Sequence, residues 1–282
     1  MQENAILLVN KERGISSNKV VNKVKFLLNA SKTGHLGTLD VLGEGVLPVT
    51  INKATKLFDY FLEKDKEYIT VFKFGQTSPT LDLEGELTKE DESLNLQEKD
   101  VKKVLSKFIG KQNQMPPQFS AKKINGKKAY QLAREGKEAN LLAKEISIYN
   151  LELLEKTDKN TFKFKVLCSS GTYIRSLCRD IATELSTCGV MQSIIRTKCG
   201  EFQLKNSYSL KEIEKGNFQL IRLENLFDYE NMEVNKEEFF KLSNGALIDC
   251  KKEGTFKVYF DKQFLGLGQS VNGKLKIKLR LF

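Results

Sequence analysis

The chain has 282 residues, with 46 Lys and Arg against 36 Asp and Glu and a formal charge of +10. That length buries a large core and allows one large domain with a small appendage, and the basic excess favours a polyanionic partner, nucleic acid first, over a small metabolite. Five cysteines with no C-x-x-C pair and a single histidine argue against a metal site, and the absence of a leader-like start or an 18-residue apolar run predicts a cytoplasmic protein with reduced thiols and no membrane contact.

In chain order, AILLVNK (residues 5–11) predicts a buried strand. Ser16 or Ser17 then caps a helix that carries Val20, Val21, Val24, Leu27 and Leu28 on one face. A glycine-rich stretch follows over residues 34–49. YITVFKF (68–74) and TFKFKVLC (161–168) read as strands, and Val101, Val104, Leu105, Phe108 and Ile109 give helical spacing over 99–109, ahead of Gly110. Strands and helices mix without regular βαβ alternation, which predicts an α+β fold with a mixed, largely antiparallel sheet flanked by helices. The texture changes after Phe202. Ser209 with Glu212 and Asn235 with Glu238 form capping-box patterns, and a boundary near 230 divides residues 1–230 from a small unit, 231–282. The final KLKIKLRLF alternates Lys274, Lys276, Lys278 and Arg280 with Leu275, Ile277, Leu279 and Leu281. Residues 251–282 hold eight basic and two acidic side chains. This is either an edge strand guarded by lysines or a phosphate-contacting face.

The stretch GHLGTLDVLGEGVLPV (34–49) holds Gly34, Gly37, Gly43 and Gly45, the chain's only histidine and a lone aspartate between apolar flanks. The glycines predict a tight loop that lets another backbone approach. Leu39, Val41 and Leu42 should hold Asp40 in a partly dehydrated wall, where a carboxylate does chemistry. Taken alone, the aspartate could equally satisfy loop amides through an Asx turn.

The stretch closely resembles motif II of the pseudouridine synthases, in the branch of bacterial tRNA pseudouridine-55 synthases, whose signature is GHxGTLDPxAxGVLP. The likeness continues through LVNKERGISSNKVV, DKEYITVFKFGQTSPTLDLEGE, QMPPQFSAKKINGKKAYQLAREG and SSGTYIRSLCRDIATEL. It implies a pseudouridine synthase catalytic domain followed by a small PUA-like RNA-binding β domain. The implied reaction cleaves the bond from C1′ to N1 of uridine and rejoins the base through C5 after flipping the nucleotide out of its stack. It implies tRNA, through its T-arm, as the partner, a monomer as the working form, and no cofactor or metal.

By this resemblance Asp40 is the catalytic carboxylate, as nucleophile at C1′ or as base at C2′. Arg175 in GTYIR pairs with it, and Tyr68 in DKEY stacks on the base and assists with the C5 proton. His35 contacts RNA near the flipped nucleotide, Lys11 supports the active-site loop, Tyr173 walls the pocket, and Ile195 in SIIRT packs against the base. From the residues themselves, Lys122 and Lys123 belong either to a basic strip suited to T-stem phosphates or to a plain lysine-rich loop. The chain departs from the pattern at Val41, where proline is usual, at Gly43-Glu44, and at Thr197, where a second arginine is common. Glu44, four positions from Asp40, would allow a glycosidase reading, but tryptophan is absent and no sugar platform is evident. A guide-RNA-dependent relative is disfavoured by the short C-terminal appendage. The remaining alternative, a non-catalytic RNA-binding or tRNA-folding protein, has no use for Asp40, Tyr68 and Arg175 together.

Overall fold

The computed structural model describes residues 3–120, 122–124, 126–137 and 139–282. Its centre is a ten-stranded sheet. The path runs from Ile221–Arg222 through Ala5–Lys11, Glu44–Ile51, Gly189–Cys199, Lys66–Phe74, Thr161–Cys168 and Lys144–Asp158 to Gly110–Gln114, with Thr33–His35 and Phe202–Gln203 paired alongside. Its pairings are antiparallel except one, where Ile195 and Arg196 meet Glu44 and Gly45 in parallel. The fold is α+β, with the mixed, largely antiparallel sheet that the sequence predicts.

Alternation sets the layers. In Ala5–Lys11, Leu7 and Val9 join the larger core, which also takes Val20, Val21 and Val24 of helix Ser17–Leu27 and Ile174, Leu177 and Ile181 of helix Ile174–Glu184. Ile6 and Leu8 face the opposite layer, with Leu36, Phe61 and Phe227. A strand buried on both faces needs an unbroken apolar run, and AILLV supplies it.

Local signals explain the ends of the elements. Ser16 caps the first helix by accepting from the Lys19 amide. Its neighbour Ser17 is buried and does something else: its hydroxyl donates to the Leu39 carbonyl at 2.8 Å and accepts from the Leu39 amide at 2.9 Å. Both capping boxes, Ser209 with Glu212 and Asn235 with Glu238, are formed. The helix expected over 99–109 is shorter, running over Glu98–Leu105 and tightening into a 3-10 turn at Ser106–Phe108, which leaves Ile109 exposed.

Residues from Glu230 onward form a second sheet of five strands with its own core of Val234, Leu242, Phe256, Val258, Leu265 and Leu275. In its last strand, Lys274–Arg280, the basic residues divide: Lys274 pairs with Asp249 at 2.6 Å and Arg280 donates to the Leu242 carbonyl at 2.7 Å, while Lys276 and Lys278 face solvent.

Candidate active site

The one parallel junction of the sheet delivers the site. Here the 34–45 loop enters strand Glu44–Ile51 beside strands Gly189–Cys199 and Lys66–Phe74. Of the loop's glycines, Gly37 and Gly45 take positive φ, at 109° and 105°, so the left-handed demand falls on those two and not on Gly34 or Gly43. At Gly43 space is the constraint, because a Cβ would lie 3.3 Å from the Asp40 carbonyl oxygen. Leu39 and Leu42 are buried and anchor the loop. Asp40 between them keeps 41% of its side chain exposed. The dehydrated wall expected around this carboxylate is therefore one-sided: the leucines bury the backbone and leave the carboxylate facing a cavity of about 310 Å³.

That cavity is lined by Asp40, Tyr68, Tyr173 and Arg175, and also by Lys66, Met191, Ile194 and Arg196. Arg175 opens helix Ile174–Glu184 and is itself buried. One of its nitrogens stands 3.0 Å from Asp40 Oδ2, and the other stands 3.4 Å from Asp82 Oδ2 and donates to the Thr80 carbonyl at 2.9 Å. A further donation to the Phe119 carbonyl at 3.2 Å ties in a third segment. An arginine shared between two carboxylates and two carbonyls has little freedom to leave. Tyr173 just before it is fixed by Gln114, whose side-chain amide accepts from the Tyr173 N–H at 2.8 Å and donates to its carbonyl at 3.1 Å.

Tyr68 is buried in the cavity wall, and burial pushes its phenol well above the ordinary tyrosine range, so it is neutral and protonated at physiological pH. Burial likewise raises Tyr173 and lowers the Lys66 ammonium.

Several expected residues fall elsewhere. Ile195 does not line the cavity; Ile194 does. Successive strand residues point to opposite faces, so Ile194 and Arg196 share the cavity side and Ile195 takes the other. Lys11, expected to support the loop, is fully buried beneath it: its ammonium donates to the carbonyls of Glu12 at 3.0 Å, Val41 at 3.3 Å and Gly43. His35 lies in strand Thr33–His35, off the cavity lining. Burial first, and then the Arg196 charge, hold its imidazole below the ordinary range. Lys122 gives its ammonium to the Leu142 carbonyl at 2.9 Å, and the side chain of Lys123 lies outside the described residues. Thr197 bonds the Glu67 carboxylate at 2.8 Å.

Two residues of the site escape a reading by motif. Asp82 is 1% exposed and shares Arg175 with Asp40. A signal for it exists, since Thr80-Leu81-Asp82 repeats Thr38-Leu39-Asp40, and the two aspartates meet at one guanidinium. Arg196 is also 1% exposed and donates to the carbonyls of Val46, Thr38 and Gly37. Its strand also holds Gln192, Ser193, Thr197 and Lys198, so no local signal in the sequence marks this arginine as the buried one.

Comparison with known proteins fits this geometry. The tRNA pseudouridine synthases B of Francisella tularensis subsp. novicida (strain U112) and Francisella philomiragia subsp. philomiragia are each 38% identical over 283 residues, covering 96% of this chain and 93% of each relative. A family model, TruB family pseudouridylate synthase (N terminal domain), matches residues 25–174. The chain belongs to the TruB family of pseudouridylate synthases. TruB-family membership makes it an isomerase, and the fold agrees. An H/ACA RNP bound to a substrate RNA containing 2′-deoxyuridine superposes with a TM-score of 0.69 at 20% identity, over 100% of this chain and 86% of that one. A Cbf5-Nop10-Gar1 complex gives 0.68 at 22% identity, over 96% of this chain and 79% of that one. Among the described residues no helix is long and apolar enough to cross a membrane.

Proposed function

We propose that this TruB-family chain converts uridine to pseudouridine at position 55 in the T-loop of tRNA, acting in the cytoplasm as a monomer without metal or cofactor. The observation that carries the reading is the Asp40 carboxylate held 3.0 Å from a buried Arg175, at the wall of a cavity that Tyr68 also lines. The name borne by the 38% identical relatives supports tRNA as the substrate, and the net charge of +10 supports a polyanion.

In this reading the T-loop uridine leaves its stack and enters the cavity, where Ile194, Met191 and the Tyr68 ring give it apolar and aromatic contact. Asp40 acts on the ribose, at C1′ as nucleophile or at C2′ as base, and the C1′–N1 bond breaks with its electron pair going to the uracil. The base turns and C5 bonds C1′ as the Asp40–C1′ bond breaks, or, on the other route, as Asp40 returns the proton to C2′; N1 takes up a proton from water, and the C5 proton leaves to water with the Tyr68 phenol as relay. Atoms and electrons balance without a redox partner. Arg175 keeps the carboxylate aimed at the sugar, and Asp82 keeps Arg175 from turning away. Residues 231–282 serve as a PUA-like RNA-contacting unit, with the exposed Lys276 and Lys278 of the last strand among the cations that meet phosphate.

The test is tritium release from C5-labelled uridine in an unmodified tRNA transcript. Wild type should release label from position 55, while Asp40→Asn should lose activity by about 10⁴-fold or more and keep its affinity for tRNA. Release by Asp40→Asn near the wild-type rate would sink the catalytic assignment. Tight binding by wild type with no release would favour a protein that only binds or refolds tRNA.

A further inference from the structure

Arg196 is a fully buried guanidinium whose acceptors are backbone carbonyls of the catalytic loop. Its Nε donates to the Val46 carbonyl at 2.9 Å, one terminal nitrogen to Thr38 at 3.4 Å and the other to Gly37 at 3.1 Å. These carbonyls bracket Asp40 from both sides along the chain. Placing a charge in the interior is costly unless its donors are used, and a planar fork is the side chain that can span three carbonyls at once. The backbones also meet here. An ideal Cβ on Gly45 would lie 2.7 Å from the Arg196 nitrogen, so the strand that carries the arginine and the exit of the loop are held together.

The same guanidinium lines the cavity, and Arg196 stands directly opposite Tyr68, which also lines it, in the antiparallel pairing of their two strands. One residue thus joins the loop that bears the carboxylate to the neighbouring strand that carries Tyr68.

We propose that Arg196 is a positioning residue for the isomerisation, fixing the Asp40 loop against the strand that carries Tyr68. This rests on the isomerase reading above. Arg196 differs from Arg175 in kind, since it holds the backbone around Asp40 and not the carboxylate itself.

The experiment compares wild type, Arg196→Met, Arg196→Lys, Tyr68→Phe and the Arg196→Met/Tyr68→Phe double variant by single-turnover tritium release, tRNA Kd and thermal melting. Folded Arg196→Met should bind unmodified tRNA within about threefold of wild type yet react roughly 100-fold more slowly, a loss typical of one misplaced hydrogen-bonding group. Arg196→Lys, which keeps the charge without the fork, should fall between the two. The double variant should be no slower than the slower single, because groups acting as a unit are not additive. Wild-type rates in Arg196→Met, a rate loss that simply adds to that of Tyr68→Phe, a loss matched by weaker tRNA binding, or a failure of both Arg196 variants to fold would each overturn the proposal. No release by wild type would instead remove the isomerase reading beneath it.

Discussion

Asp40 reaches the cavity on a loop whose carbonyls are gathered from beneath by two buried cations, Lys11 under Val41 and Gly43 and Arg196 under Gly37 and Thr38. Arg175 meets the carboxylate itself. The two supporting cations answer differently to pH. Arginine stays charged throughout, whereas burial lowers the Lys11 ammonium from 10.5 to about 8, against the opposing pull of Asp40, Glu44 and Glu84. Below pH 8 Lys11 is charged in the folded and unfolded chains alike. Between about 8 and 10.5 the unfolded chain holds the extra proton, so stability from this group rises with pH across that window. A Lys11→Met variant cannot titrate there. The melting temperature of wild type should therefore climb relative to Lys11→Met between pH 8 and 10, and parallel melting curves would mean that Lys11 keeps an ordinary pKa.

The loop is also held by the strand it enters. Gly45 takes φ of 105° and pairs with Arg196 in the parallel junction, and any side chain there meets both left-handed strain and the neighbouring backbone. Gly45→Ala should cost roughly 2 kcal/mol or more of unfolding free energy, combining φ strain with the backbone clash. Denaturant titration would measure it, and a midpoint within error of wild type would show that the junction can open. Much of this was legible beforehand, because glycine clusters, apolar runs and capping boxes are local signals: AILLV, Ser209 with Glu212, and the loop around Asp40 carry their meaning in their own few residues. Partners across the fold are not encoded that way. Whether Ile194 or Ile195 faces the cavity depends on strand register, which no residue near them announces. Asp82 becomes part of the site only when helix Ile174–Glu184 brings Arg175 between it and Asp40. Lys274 and Arg280 looked like free cations until folding gave them Asp249 and the Leu242 carbonyl.

The two sheets are joined through a shared apolar seam, in which Leu281, and beside it Leu267 and Leu279, pack with Ile6, Leu36, Phe61 and Phe227. The Asn4 side chain donates to the Leu281 carbonyl at 2.9 Å, and Lys56 donates to that of Arg280 at 2.6 Å. Removing everything after residue 230 would therefore strip cover from the face opposite the larger core, and weaker RNA binding by such a fragment would mix lost contacts with lost stability. Neutralising charge alone separates the two. Lys276 and Lys278 are exposed on the last strand, so Lys276→Gln/Lys278→Gln should leave the melting temperature within about 1 °C of wild type, as surface changes usually do. If this strand tracks phosphate, the double variant should bind tRNA more weakly at low salt. Its plot of log Kd against log salt should flatten by one to two units, since roughly one unit is lost for each phosphate contact removed. Such flattening with an unchanged rate at saturating tRNA would assign the strand to docking and leave the chemistry to the cavity around Asp40. An unchanged slope would make these two lysines guards of an exposed edge, and the positive charge that draws RNA would then have to lie elsewhere, on the larger sheet or on other basic residues of the small unit such as Lys251, Lys257 and Lys262.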